Sequence, residues 1–207
     1  QDLLDLLHQV AQGEVTPEKA LLEFKTQPFE DLGYAKVDLH RPVRQGAAEV
    51  IYGAGKTPAQ IAGIAAAMGE RGVQNILITR LGATPALAVG DAVPLEYHPE
   101  ARMGVAYPGP HKSVGSIVVA TGGTSDRHVA EEAALTTEKL GNQVTRLYDV
   151  GVAGLHRLLT HLDTLMSARC VVVVAGMEGA LASVIGGLVD CPVIALPTSA
   201  GYSASFG

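Results

Sequence analysis

Four short strand-like runs separated by three helical patterns fill the chain from Ser116 to Leu196. The runs are residues 117–119, 144–148, 170–175 and 192–196. The helical patterns begin after Asp126 and cover 155–166 and 179–189. The continuous apolar run Ile117, Val118 and Val119 suits a strand buried on both faces, as in a parallel sheet. Regular alternation of such runs with helices predicts an α/β layer structure, a parallel sheet covered by helices on both sides. In open sheets of this type, ligands bind beyond the C-terminal ends of the strands. Four loops meet that condition: 121–126, 149–156, 176–178 and 197–207.

The first of these loops is read within S-I-V-V-A-T-G-G-T-S-D, residues 116–126. Gly122 and Gly123 break the strand, and Thr124, Ser125 and Asp126 are good helix N-caps. Val129, Ala133 and Leu140 then recur at helical spacing. A strand, a tight glycine turn and a helix N-terminus make an anion site, because free N–H groups and the positive helix end face the turn. Glycines let a phosphate approach the backbone closely. An ordinary βα turn accounts for the same pattern.

The other loops supply further polar groups. D-V-G-V-A-G-L-H-R carries His156 and Arg157, and A-G-M-E-G carries Glu178 after the most hydrophobic strand. A carboxylate between Met177 and Gly179 at a strand end gains a raised pKa if it is desolvated, which suits a general acid or base. The alternatives are a Glu exposed at a loop tip or one that caps the next helix. His156 is open to the plainer reading of a helix-terminal histidine. Met177 and its neighbours at one sheet edge favour a site collectively rather than singly. Metal spacing is weak: His156 and His161 do not share a helix face, and neither Cys-x-x-Cys nor His-x-His occurs. A hard cation such as Mg2+, held mainly by phosphate oxygens, is compatible with these loops.

Upstream, residues 2–11 and 16–25 read as short amphipathic helices forming an arm, with Thr16-Pro17-Glu18 starting the second. Leu6, Leu7, Leu21, Leu22 and Phe24 are their core or partner-facing residues. Strict alternation from Lys36 to His40 fits a strand with one wet face. G-A-G-K-T at 53–57 resembles a phosphate loop, but Val50 stands where a Walker A motif needs glycine. Thr57-Pro58 instead starts a helix over 58–70, followed by a strand over 75–79. Arg41, Arg44 and Lys56, with Asp38 and Glu49, read as a solvated face in preference to an anion site. Two short strands flank Pro99 between 95 and 106. The turn-forming P-G-P-H-K-S at 108–113 places a domain boundary there, giving domains 1–110 and 111–207.

The 207 residues are 47% hydrophobic and 17% charged, enough for a sizeable core. A net charge of −6 gives no basic field for nucleic acid. The two cysteines, Cys170 and Cys191, indicate no disulfide framework and read as inert core thiols. No run approaches ~18 apolar residues and no secretory signal is visible, so a cytoplasmic protein is expected. The opening at Gln1 and the loop-like end at Gly207 suggest that both natural termini lie outside the sequence.

Residues 116–200 resemble the aminoimidazole-ribonucleotide carboxylase/mutase fold of purine synthesis. That family's first loop is a Gly-Ser-x-Ser-Asp type sequence, matched by residues 122–126 with Gly123 for the first Ser. Its Ser-Ala-His-Arg loop is matched at 154–157. In its third loop Ala180 takes the place of the family's His, Ala182 that of its Pro, and Glu178 is additional. A wider resemblance covers nearly the whole chain. D-L-H-R-P-V-R-Q-G, E-V-I-Y-G-A-G-K-T, A-T-G-G-T-S-D, D-V-G-V-A-G-L-H-R and V-V-V-A-G-M-E-G-A-L are similar to the LarB family of nickel-pincer cofactor biosynthesis, some members of which are named circadian phase modifiers.

The resemblance implies a PurE-like, flavodoxin-type C-terminal domain behind a smaller α/β domain with a helical arm. It implies a carboxylase and hydrolase acting on nicotinic acid adenine dinucleotide. The pyridinium ring is carboxylated with carbon dioxide or bicarbonate and the phosphoanhydride hydrolysed, giving pyridinium-3,5-biscarboxylic acid mononucleotide and AMP. Gly122, Gly123, Thr124, Ser125, Asp126, Gly154, Arg157, Gly176 and Met177 are then the substrate-binding residues, with the glycine amides, Ser125 and Asp126 as the phosphate cradle and Arg157 its charged partner. Glu178 is the ring-proton base and His156 the second catalytic residue. The family's nucleophilic Cys is expected beyond Gly207. The related purine enzymes are octamers, so a homo-oligomer is expected, with no membrane or nucleic-acid partner. The alternatives are the purine carboxylase/mutase reaction itself and a non-catalytic nucleotide-binding regulatory module.

Overall fold

The computed structural model describes residues 3–26, 29–39, 41–110 and 112–199, and within them every side chain but those of Leu3, residues 23–26 and residues 43–44. His40, His111, the Phe24 and Arg44 side chains and the fourth loop from Ala200 onward lie outside the described residues. The chain divides into two compact units, one of residues Gln1–Tyr97 with Gly104–Gly109, the other of His98–Met103 with Pro110–Gly207.

The first unit opens with helices α1 (Leu3–Ala11) and α2 (Pro17–Thr26). Leu6 and Ala20 are buried, while Leu4, Leu7, Leu21 and Leu22 are each more than half exposed. The alternating stretch then forms a hairpin of β1 (Phe29–Asp31) antiparallel to β2 (Lys36–Asp38). Its turn is fixed by the Gly33 N–H donating to Asp31 Oδ1 at 2.8 Å. Val37 alone of β2 is fully buried, as a period of two requires. A short helix α3 (Arg41–Gln45) follows. The unit's four-stranded sheet has the order β3-β4-β6-β5, with β3 (Ile51–Tyr52), β4 (Ile76–Thr79), β5 (Leu95–His98) and β6 (Met103–Ala106). α4 (Pro58–Gly69) and α5 (Ala83–Gly90) connect its strands. The segment G-A-G-K-T is a turn into α4. Thr57 Oγ1 accepts from the Gln60 N–H and Gln60 Oε1 accepts from the Thr57 N–H, a reciprocal cap behind Pro58. Lys56 turns back to donate to the Tyr52 carbonyl at 2.8 Å.

The second unit is the predicted parallel sheet, in the order β10-β9-β7-β8, with every neighbouring pair parallel. Its strands are β7 (Val114–Thr121), β8 (Asn142–Leu147), β9 (Cys170–Ala175) and β10 (Val193–Pro197). Successive residues of β7 feed opposite faces. Val119 packs with Ala130 and Ala134 of α6 (Arg127–Lys139). Val118 and Ala120 join Leu158, Leu165, Leu181 and Ile185 from α7 (Leu155–Leu159), α8 (Leu162–Met166) and α9 (Ala180–Gly186). The result is the expected three-layer α/β arrangement. Two helices differ from expectation. The single helix predicted over 155–166 is broken at Thr160 and His161, where the His161 N–H reaches the Leu158 carbonyl and α8 restarts. α9 stops at Gly186-Gly187, since paired glycines give up helix propensity before the apolar pattern ends. Among the described residues no helix is long and apolar enough to cross a membrane.

Candidate functional site

Parallel pairing in register brings the ends of β7, β8 and β9 level at one edge: Ala120 pairs with Leu147 and Thr121 with Val174. The loops leaving these strands are tied together by buried polar groups. Thr121 is fully buried; its hydroxyl accepts from the Asp149 N–H at 3.0 Å and its carbonyl from the Val150 N–H at 3.0 Å. Gly122 donates to the Val174 carbonyl at 3.1 Å. The second loop crosses so close that a Cβ on Gly151 would stand 2.5 Å from the Gly122 carbonyl oxygen, so only glycine fits there.

Asp126 sits at the end of a 3₁₀ turn, Thr124–Asp126, that leads into α6. Its carboxylate does not cap α6. Instead Oδ2 accepts from the Gly123 N–H at 3.2 Å and Oδ1 accepts from the Thr198 hydroxyl at 2.6 Å. Asp126 is 4% exposed and Thr198 6%. Both glycine amides expected to cradle a phosphate are therefore engaged by protein acceptors. The donors left at this turn are the amides of Thr124 and Ser125, which open it and have no intrahelical partner, and the Ser125 hydroxyl.

The second loop contributes Arg157 through α7. Gly154 is buried beneath it, and a Cβ there would stand 2.5 Å from Arg157 Nε. Arg157 Nη1 pairs with Asp149 Oδ2 at 2.5 Å, both side chains being substantially exposed. Asp149 has a left-handed backbone, φ +58°, that aims its carboxylate at Arg157 while its N–H serves Thr121. In the third loop Met177 (φ +53°) and Gly179 (φ +68°) make a tight turn closed by the Gly179 N–H on the Gly176 carbonyl. This turn lifts Met177 and Glu178 to the rim, where both are exposed. The desolvation anticipated for Glu178 is absent; the loop-tip alternative is the observed one.

Gly122, Gly123, Ser125, Asp126, Arg157, Gly176, Met177 and Glu178 line one cleft of about 260 Å³, with Gly151 and Ala175 among its other walls. Thr124, Gly154 and His156 are not in its lining; His156 is exposed on the first turn of α7. Thr121, Asp149 and Thr198 were not singled out from sequence. The only signal for Thr198 is a polar residue directly after the last strand. Among the described residues no cluster of three or more His, Cys, Asp or Glu could hold a metal ion. Cys170 and Cys191 are half-buried free thiols away from the cleft. Burial, then the nearby Cys191, pushes the Cys170 thiol above its usual value, which fits an unreactive thiol.

Residues 29–108 match the family described as LarB/PurE-like N-terminal domain, and residues 116–206 match AIR carboxylase. The chain is also similar to the uncharacterized protein MJ0165 of Methanocaldococcus jannaschii. The two are 34% identical over 216 residues, covering 98% of this chain and 83% of that one.

Proposed function

The chain belongs to the LarB family, with a LarB/PurE-like N-terminal domain followed by an AIR carboxylase domain of the carboxylase type, and on that premise we propose that its cleft carboxylates the pyridinium ring of nicotinic acid adenine dinucleotide and hydrolyses the phosphoanhydride. The observation that carries this reading is the division of charge across the cleft. The Arg157 guanidinium is carried by α7, which follows the second loop, and the buried Asp126 carboxylate is on the first. A phosphate is repelled by Asp126 and attracted by Arg157, by the Thr124 and Ser125 amides and by the Ser125 hydroxyl. Ribose hydroxyls are donors, and a fixed carboxylate is their natural acceptor. Asp126 thus moves from phosphate ligand to sugar ligand, and a nucleotide is held in one direction.

The chemistry follows from the ring. An electron-poor pyridinium becomes nucleophilic at carbon only after a nucleophile adds to it. The adduct then attacks carbon dioxide to form the new C–C bond, a base takes the ring proton, and the nucleophile departs with its electron pair. Water cleaves the phosphoanhydride to leave the mononucleotide and AMP. Glu178, exposed at the rim of the cleft it lines, takes the proton. His156, outside the lining, has no step in this reading. The donor set offers no resident metal site among the described residues, so Mg2+ enters only with the substrate phosphates and no step depends on it. A binding-only regulatory module is the second reading, favoured by the exposure of Glu178. Incubation of the protein with the dinucleotide and labelled bicarbonate decides between them. Label in a mononucleotide with release of AMP supports the enzyme. Tight binding by calorimetry without label incorporation in the full-length gene product refutes it in favour of the module. Label incorporated only when aminoimidazole ribonucleotide replaces the dinucleotide in the incubation points to the purine reaction. Arg157→Ala should weaken dinucleotide binding ~10-fold or more, the scale of a charged hydrogen bond; unchanged affinity would place the phosphates elsewhere.

A further inference from the structure

We propose that Thr198 is a positioning residue, whose hydroxyl holds the Asp126 carboxylate in the one orientation that also anchors the Gly123 amide, so that the loop after the last strand sets the shape of the first. The two residues are 72 apart in sequence and meet in the interior. The 2.6 Å separation is that of a charge-assisted O–H···O⁻ bond. Neither end can drift. Pro197 closes β10 in register with Ala175, and the next amide, that of Thr198, donates to the Ala175 carbonyl at 3.3 Å. Threonine is stiff about χ1, so fixing its backbone fixes its hydroxyl. Asp126 is held on its side by its own N–H on the Gly123 carbonyl at 3.3 Å.

The carboxylate therefore has both oxygens committed on the protein side, one to Thr198 and one to Gly123, and Asp126 is also one of the residues that line the cleft. Without the Thr198 hydroxyl, a buried anion loses one of these two donors and turns toward water. The Gly123 amide is then released and the first loop loses its fixed shape. The consequence for ligands rests on the nucleotide reading above: hydroxyl-bearing ligands lose their acceptor, whereas an anion held from the Arg157 side keeps its partner. Thr198 thus acts on specificity through Asp126 without touching the ligand.

Two measurements test this, one independent of any ligand. In the ligand-free protein, amide hydrogen exchange at Gly123 should accelerate ~10- to 100-fold in Thr198→Val, the scale of losing a hydrogen bond to a charged group, and return to the wild-type rate in Thr198→Ser. Wild-type exchange in the Val variant overturns the proposal. If the Val variant fails to fold, Thr198→Ala, which removes the hydroxyl without setting a methyl in its place, is read the same way. In calorimetry, Thr198→Val should bind nicotinic acid adenine dinucleotide ~10-fold more weakly while its affinity for inorganic pyrophosphate stays within twofold of wild type. Equal losses for both probes would make Thr198 merely structural and overturn its positioning role. If the wild-type protein binds neither probe, the nucleotide reading fails, and the exchange rates still decide whether Thr198 holds Asp126.

Discussion

Replacing Arg146 with methionine should destabilise the second unit by about 1.5–3 kcal/mol. Arg146 projects from β8 onto α6 and is gripped by two carboxylates. Glu138 takes it in a two-point grip, Nη1 at 2.5 Å and Nη2 at 3.0 Å, while Nε donates to Glu131 at 3.1 Å. Glu131 also accepts from the Tyr148 hydroxyl at 2.7 Å. The two acids are seven residues apart on α6, two helical turns, and so share the face over the strand. Removing the guanidinium leaves two neighbouring negative charges with one phenolic donor between them. Breaking a fully buried pair costs ~3–5 kcal/mol. Here the side chains retain 16–30% exposure, so water recovers part of that, and the range for hydrogen bonds to charged groups is the better guide. With a urea slope of ~2 kcal/mol/M, the midpoint should fall by about 1 M. Adding Glu138→Gln to the methionine variant should restore part of the loss by relieving like-charge repulsion. A change below ~0.5 kcal/mol, typical of a solvated surface pair, would refute the claim that this network fastens α6, and with it the first loop, to the sheet.

Glu178→Gln should leave dinucleotide affinity unchanged and slow single-turnover carboxylation with labelled bicarbonate ~10²–10⁴-fold, because the amide keeps the shape but takes no proton; full carboxylation removes Glu178 as base, and loss of AMP release alone moves it to the hydrolytic step. Burial first, then the hydrogen bond and charge of Glu131, raise the Tyr148 phenol above its ordinary value near 10. A raised folded value means that its contribution to stability is present below about pH 10 and is lost as the pH climbs through the folded value. Urea midpoints at pH 9 and 11 should therefore fall further in the wild type than in Tyr148→Phe, and equal falls would show that the phenol is not held in the fold.

The parallel sheet was legible mainly through its two central strands, β7 and β9, whose buried parts read as unbroken apolar runs, Cys170–Ala175 coinciding residue for residue with β9. Short elements were not: β3 has two residues, and α5 is an alanine-rich stretch without a side-chain cap. The break between α7 and α8 was hidden because Leu158 and Leu165 both face the core at a spacing that one continuous helix also satisfies. At the cleft, the sequence located the loops but not the direction of their hydrogen bonds. Gly122 and Gly123 look like free donors until β9 and Asp126 are seen to take them. Thr198 was invisible for the complementary reason, that its partner lies three strands' worth of chain away.

The pattern of ties around the cleft explains how one charged wall can be fixed and the other exchangeable. Gly122 is bonded to the end of β9, Val150 to the end of β7 and Thr198 to Ala175, so each loop begins from a strand terminus that cannot shift without breaking sheet hydrogen bonds. Asp126 adds a buried clamp to this frame and presents its acceptor face already oriented, which reduces the ordering that a ligand must impose. Arg157 is held differently. Its partner Asp149 is about half exposed, and an ion pair in that setting is worth only ~0–1 kcal/mol. On the proposed nucleotide reading, a phosphate, which carries more charge than Asp149, would take the guanidinium from it at little cost. On that reading the acceptor wall would select by rigidity, and Asp149 would hold the cationic wall in place until an anion replaced its carboxylate.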